Sequence, residues 1–127
     1  MVNERQLEAV HRVYAAWDDH RFTDLIEDLG DDIVWSVPGR NRLTSKNPGR
    51  ANAKRIIETL SAAGYKVSPR HFLNDGQRVV VLAQVTVGGV QHGAVDIWTF
   101  DAAGERIAKY GHASTDTTLL DRLLDAK

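Results

Sequence analysis

The hydrophobic spacing of this chain is mainly helical before Gly64 and strand-like beyond it, and that change constrains the fold more than any other feature. Before Gly64, apolar residues recur three and four positions apart: Leu7, Val10, Val13, Tyr14 and Trp17, then Ala53, Ile56, Ile57 and Leu60. After it they fall into the two-residue period of strands, bounded by turn residues. A helix returns to one face about every 3.6 residues and a strand every two, so helices come first and strands afterwards. Segregation of that kind predicts an α+β fold with the helices packed on one face of a curved, mixed or antiparallel sheet. A strongly bent sheet wrapped around such helices makes a cone, whose internal pocket is the concave, mostly apolar cavity that small molecules prefer.

The spacing predicts a first helix from about Glu4 to about Asp18. A short second helix is capped by Thr23, buries Phe22, Leu25, Ile26 and Leu29, and stops at Gly30. Ile33 to Val37 reads as a strand ended by Pro38-Gly39, polar Arg40 to Arg50 as a loop or lid, and Arg50 to Ala63 as a third helix. Four strands follow, at about Tyr65–Leu73, Arg78–Val87, Gln91–Phe100 and Arg106–Thr115, joined by turns at Asn74-Asp75-Gly76, Gly88-Gly89 and Ala103-Gly104. Leu119, Leu120, Leu123 and Leu124 suggest a short C-terminal helix or docking tail. No repeat or linker interrupts residues 1–127, which read as a single domain.

At 127 residues the chain buries a sufficient core without covalent staples. A charged content of 26% and a formal net charge of -1 give no overall bias toward nucleic acid or a membrane surface. Cysteine is absent, which removes disulfides, thiolate ligands and a Cys nucleophile and suits a reducing compartment. No apolar run approaches the ~20 residues of a membrane span and no signal-peptide pattern opens the chain, so a soluble, cytoplasmic protein is expected. Charge is uneven: Arg40, Arg42, Lys46, Arg50, Lys54 and Arg55 follow an acid-rich start. They read either as a solvated face or as an anion-attracting rim.

One carboxylate stands inside an apolar strand. Alternation places Ala94, Asp96, Trp98 and Phe100 on one face. If that face is buried, Asp96 must find a partner or become neutral, because desolvation penalises its charged form. On the next strand Tyr110, His112, Ser114 and Asp116 share a face, and a hairpin would make Asp96 and His112 neighbours. Imidazole is the only group here whose ordinary pKa lies near neutrality, so His112 is the natural proton acceptor. The same two residues serve equally as a buried polar pair without catalysis. Tyr14 offers a phenolic donor for a substrate oxygen or packs in the core, while Trp17, Trp35 and Trp98 line a flat-ligand pocket or fill the interior. His71 and His92 are weaker candidates. No metal-ligand spacing, nucleotide loop or serine-hydrolase motif occurs, so neither metal nor cofactor is predicted.

Val13-Tyr14-Ala15-Ala16-Trp17, Asp31-Asp32-Ile33-Val34-Trp35-Ser36-Val37-Pro38-Gly39 and the Asp96 hairpin, with the order of elements, resemble the NTF2-like superfamily. Within it the likeness is to SnoaL-like proteins, relatives of ketosteroid isomerases, limonene-type epoxide hydrolases and polyketide cyclases. The resemblance implies a cone-shaped domain and places Asp96 on the acid that hydrogen-bonds the substrate oxyanion in the isomerases. In those enzymes an apolar site keeps that carboxyl neutral, so that it can donate. The isomerase base position carries Val37 instead, and the oxyanion tyrosine falls nearest Val13, one place before Tyr14. In the epoxide-hydrolase comparison Gln84, Thr86 and His112 replace an Arg and two Asp.

What the resemblance then implies is a cofactor-independent acid–base enzyme of isomerase, cyclase or hydratase/hydrolase type. Asp96, His112 and Tyr14 would be catalytic, with Trp17, Trp35, Trp98, Tyr110 and Ser114 around a small, largely apolar oxygenated or carbonyl compound. The alternative, which Val37 favours, is a non-catalytic ligand-binding or scaffold domain. The likeness also implies a homodimer through the outer sheet face, to which Val79, Val81, Val85 and Val87 are assigned.

Overall fold

The computed structural model describes residues 2–36 and 46–114. Helix α1 spans Glu4–Asp18, and the side chain of Asn3 caps it by accepting from the Gln6 amide at 3.2 Å. Its apolar stripe buries Val10, Val13, Tyr14 and Trp17. The helix ends at a turn in which His20 adopts a left-handed backbone, φ 57°, a conformation rare for a residue with a Cβ. A one-turn helix α2, Phe22–Leu25, and a 3-10 turn, Ile26–Asp28, lead directly into strand β1, Leu29–Ser36.

Strand β1 therefore begins earlier than the spacing predicts, and Gly30 lies within it instead of stopping a helix. A Cβ at Gly30 would come to 3.3 Å from the Ile107 carbonyl oxygen, so the glycine permits close approach of two strands. Strand β2, Lys46–Pro48, precedes helix α3, Arg50–Ala62. Strands β3, Lys66–Asn74, β4, Arg78–Val87, β5, Val90–Phe100, and β6, Ile107–Ser114, complete the described chain. Of the segment expected as a loop or lid, Arg40 to Arg50, the part Lys46–Pro48 is a strand paired with β1, while Arg40 to Ser45 lies outside the described residues, as do Val37 and the expected C-terminal helix, Leu119 to Leu124.

The six strands form one sheet in the order β2-β1-β6-β5-β4-β3. Strand β1 runs parallel to β6 and every other neighbour is antiparallel, so the sheet is mixed; it is curved and unclosed, with helices against one face. The fold is α+β, as expected. Gln6, 1% exposed, pins the start of α1 to two hairpin turns by donating to the carbonyls of Gly76 and Gly104, at 2.9 and 3.1 Å. Asn74 donates to its carbonyl oxygen at 2.9 Å, so the buried amide is satisfied on both sides.

One expectation is reversed. Val79, Val81 and Val85 are each 0% exposed and face the helices, while Val87 is half-buried. The register explains it: Val79 pairs with Trp98 and Val81 with Asp96, and directly opposed residues share a face. The outer face instead carries Leu73, 58% exposed, and Leu82 and Ile97, 41% each. His71 is also exposed, opposite Leu82. Among the described residues no helix is long and apolar enough to cross a membrane.

Candidate acid–base site

Asp96 is fully buried at the middle of β5, where the alternation that makes the strand amphipathic turns it toward the helices. It is not left unpaired. Tyr14, from α1, donates its hydroxyl to Oδ2 at 2.5 Å, and Tyr110, from β6, donates to Oδ1 at 2.8 Å. His112 Nδ1 lies 2.7 Å from the same Oδ1. A carboxylate only accepts, so its contact with His112 assigns that ring's proton to Nδ1. Register brings the pair together: Asp96 sits directly opposite His112, and Trp98 directly opposite Tyr110.

The tyrosines are suited to donate. Burial pushes the Tyr14 and Tyr110 hydroxyls well above the usual phenol pKa, and the neighbouring Asp96 charge pushes them further the same way. Tyr14 also accepts from the Trp98 indole N–H at 3.0 Å. Its one proton is thus directed to Asp96 and not to a substrate oxygen, the role that residue type alone suggests. Asp96 is the acceptor at the centre of a three-donor cluster. The far nitrogen of His112, Nε2, is buried and has no hydrogen-bond partner. Among the described residues His112 is therefore held on one side, and its other ring nitrogen is buried without a partner.

Aromatic rings fill the interior around this cluster. Trp35 stacks on Tyr110 with ring centroids 4.1 Å apart, and Trp98 lies 4.5 Å from Tyr110. Trp17, Trp35 and Trp98 are at most 3% exposed. Of these only Trp17 borders a principal cavity among the described residues, one of about 220 Å³ whose wall also includes Ser61, Tyr65, Lys66 and Val67. Ser114 is half-buried at the end of β6 and pairs with Ala94. His92 is half-buried near the β4–β5 turn.

Tyr65 is a participant that the spacing did not reveal. It follows the Gly64 turn directly, is 5% exposed, and sets its ring edge-on to His112 at 6.3 Å. Its hydroxyl too is pushed well above the usual value, by burial first and then by the Asp96 charge. The residue thus borders both His112 and the cavity at Trp17. An aromatic immediately after a helix-ending glycine is the only local sign of this role. Among the described residues no group of three or more His, Cys, Asp or Glu side chains is placed to hold a metal ion.

Residues 10–110 match the family described as SnoaL-like domain. Among solved structures, Bal32a from a soil-derived mobile gene cassette is similar over 95% of this chain and 97% of its own, at 24% identity and a TM-score of 0.83. An NTF2-like protein of unknown function from Burkholderia pseudomallei covers 96% of this chain and 98% of its own, at 22% identity and a TM-score of 0.79. TerC, co-crystallised with polyporic acid, covers 96% and 99%, at 23% identity and a TM-score of 0.78. At these identities the likeness concerns the fold. No curated protein matches the sequence.

Proposed function

Because the chain belongs to the family of SnoaL-like domains, we propose that it catalyses proton transfer on a small, largely apolar molecule carrying a carbonyl or related oxygen. The observation that carries this reading is the state of His112: Nδ1 is bonded to Asp96 at 2.7 Å while Nε2 is buried without a partner. The Nε2 lone pair is a general base whose orientation is set from behind. In the step proposed, Nε2 takes a proton from the carbon beside a carbonyl, and the C–H electron pair moves onto the carbonyl oxygen as an enolate. The imidazolium formed lies against the Asp96 carboxylate, which stabilises it. Return of the proton to another carbon gives isomerisation. Attack of the enolate carbon on a second carbonyl, with the proton passing to the new alkoxide, gives cyclisation.

Asp96 acts here by orienting His112, and Tyr14 and Tyr110 act through Asp96. The dry, ring-lined surroundings strengthen each of these interactions relative to water. Co-crystallisation of the similar TerC with polyporic acid supports a small organic ligand for this architecture. A second reading, ligand binding without turnover, is favoured by the close ring packing around Asp96. Exchange of the methyl protons of acetophenone for deuterium, followed by NMR in D2O, separates the two. The acid–base reading expects catalysed exchange that His112→Ala lowers by about a hundredfold or more, the usual contribution of a general base. Exchange no faster than buffer, or unaffected by His112→Ala, overturns it.

The outer apolar face supports a further proposal, a homodimer. Leu73 pairs with Val80 and Val80 with Ile97, so the exposed Leu73 and Ile97 flank the half-buried Val80 in a patch across three strands.

A further inference from the structure

Among the described residues outside the Asp96 cluster, two buried side-chain polar atoms lack a hydrogen-bond partner, Nε1 of Trp17 and Oγ of Ser61. They come from different helices, Trp17 from the last turn of α1 and Ser61 from the last turn of α3. Both residues line the same cavity of about 220 Å³. Buried polar groups are almost always satisfied, so two orphans on one cavity wall mark a place built for a polar occupant. The same wall contains His20, whose left-handed backbone closes the end of α1 as the Arg21 amide donates to the Ala16 carbonyl at 2.8 Å.

We propose that this cavity binds a neutral, single-ring compound through a carbonyl or hydroxyl oxygen that accepts hydrogen bonds from the Trp17 indole and the Ser61 hydroxyl. An indole N–H only donates, so the ligand must present an acceptor there, and Ser61 adapts to either role. Trp17, Tyr65 and Val67 supply the apolar walls for a ring. Asp18 and Lys66 at the rim carry opposite charges, which selects against a dedicated anion or cation site. The volume lies below the roughly 300–1,000 Å³ of sites for drug-sized ligands, which sets the size at about one ring.

This inference rests on the acid–base reading for its purpose, because Tyr65 joins the two places: it lines the cavity and leans edge-on against His112. Neither orphaned atom touches solvent, so seating a ligand on them moves a wall residue. Displacement of the Tyr65 ring opens the path toward His112 Nε2. Trp17 and Ser61 then act as specificity residues, holding the oxygenated end of the ligand while the base works on the adjoining carbon.

The test compares acetophenone with ethylbenzene, which has nearly the same shape and no oxygen, by NMR of the assigned indole N–H signals of the labelled protein. Acetophenone is expected to move the Trp17 signal downfield in a saturable manner, and ethylbenzene is not. Ser61→Ala is expected to weaken acetophenone binding about tenfold and to leave ethylbenzene unchanged, the effect of one hydrogen bond. In the free protein that substitution should raise Tm slightly, since it removes an unpartnered buried hydroxyl. A Trp17 signal that acetophenone leaves in place, equal responses to the two compounds, or acetophenone affinity unaffected by Ser61→Ala overturns the proposal. Repeating the titration with His112→Ala separates the two readings: binding retained with proton exchange lost supports both. Exchange unaffected by His112→Ala, with binding intact, removes only the catalytic one.

Discussion

Nδ1 of His112 and Oδ1 of Asp96 lie 2.7 Å apart on directly paired positions of β6 and β5. Both side chains are almost sealed from solvent, at 3% and 1% exposure. Their bond fixes a ring orientation that neither strand would impose alone. Because the same carboxylate holds two tyrosine hydroxyls, the cluster responds to substitution as a unit.

Asp96→Ala leaves two hydroxyls and an imidazole N–H buried without their acceptor. Loss of one member of a buried pair costs roughly 3–5 kcal/mol, and a value in that range is expected from urea unfolding. Asp96→Asn keeps the volume and half of the accepting capacity, so a smaller loss is expected. A loss under about 1 kcal/mol for Asp96→Ala is inconsistent with a three-donor cluster, given the usual cost of each unsatisfied group.

All three tyrosines of the chain, Tyr14, Tyr65 and Tyr110, carry hydroxyls raised well above 10.0, chiefly by burial and next by Asp96. The folded protein thus keeps phenolic protons that the unfolded chain releases near pH 10. Their contribution to stability is complete below that value and declines as pH rises toward the folded pKa values. Tyrosinate absorbance is expected to appear together with the loss of tertiary structure. A phenol that ionises near pH 10 in the folded protein contradicts the burial described.

At the β3–β4 turn, Asp75 accepts from the Arg78 and Gln77 amides at 2.8 and 3.0 Å. These bonds, with the Arg78 side chain, lower its carboxyl from 3.8 to about 2. A depressed acid stabilises the fold above its unfolded pKa, and that contribution is lost as pH falls through the folded one. The Tm difference between the native chain and Asp75→Asn is expected to be full above about pH 4 and to close by about pH 2. A difference independent of pH means that the turn does not depend on the charge.

On the outer sheet face, Leu82→Lys with Ile97→Lys places two cations where apolar side chains now stand exposed. If that face joins two copies, sizing by light scattering is expected to give a dimer for the native chain and a monomer for the double variant, with Tm changed little. A native monomer at micromolar concentration removes the homodimer proposal.

The order of elements was legible along the chain because helical and strand periods differ and glycines mark most of the changes. The start of β1 was not: Gly30 has the same appearance as a helix stop and as a strand residue passing close to Ile107. Asp96 and His112 were legible as a pair because one hairpin links them. Tyr65 was not, since its relation to His112 depends on how α3 returns the chain to the sheet.

Residue pattern alone determined which side chains share a face: Ala94, Asp96, Trp98 and Phe100 on β5, and Val79, Val81, Val85 and Val87 on β4. Which face turns toward the helices was decided only by packing, because a two-residue period has no sign until register ties one strand to the next. Register put Val81 opposite Asp96 and therefore inside. Tertiary structure also decided where single protons go. A tyrosine hydroxyl has one to give, and only the approach of α1 to β5 directs that of Tyr14 to Asp96, 82 residues away.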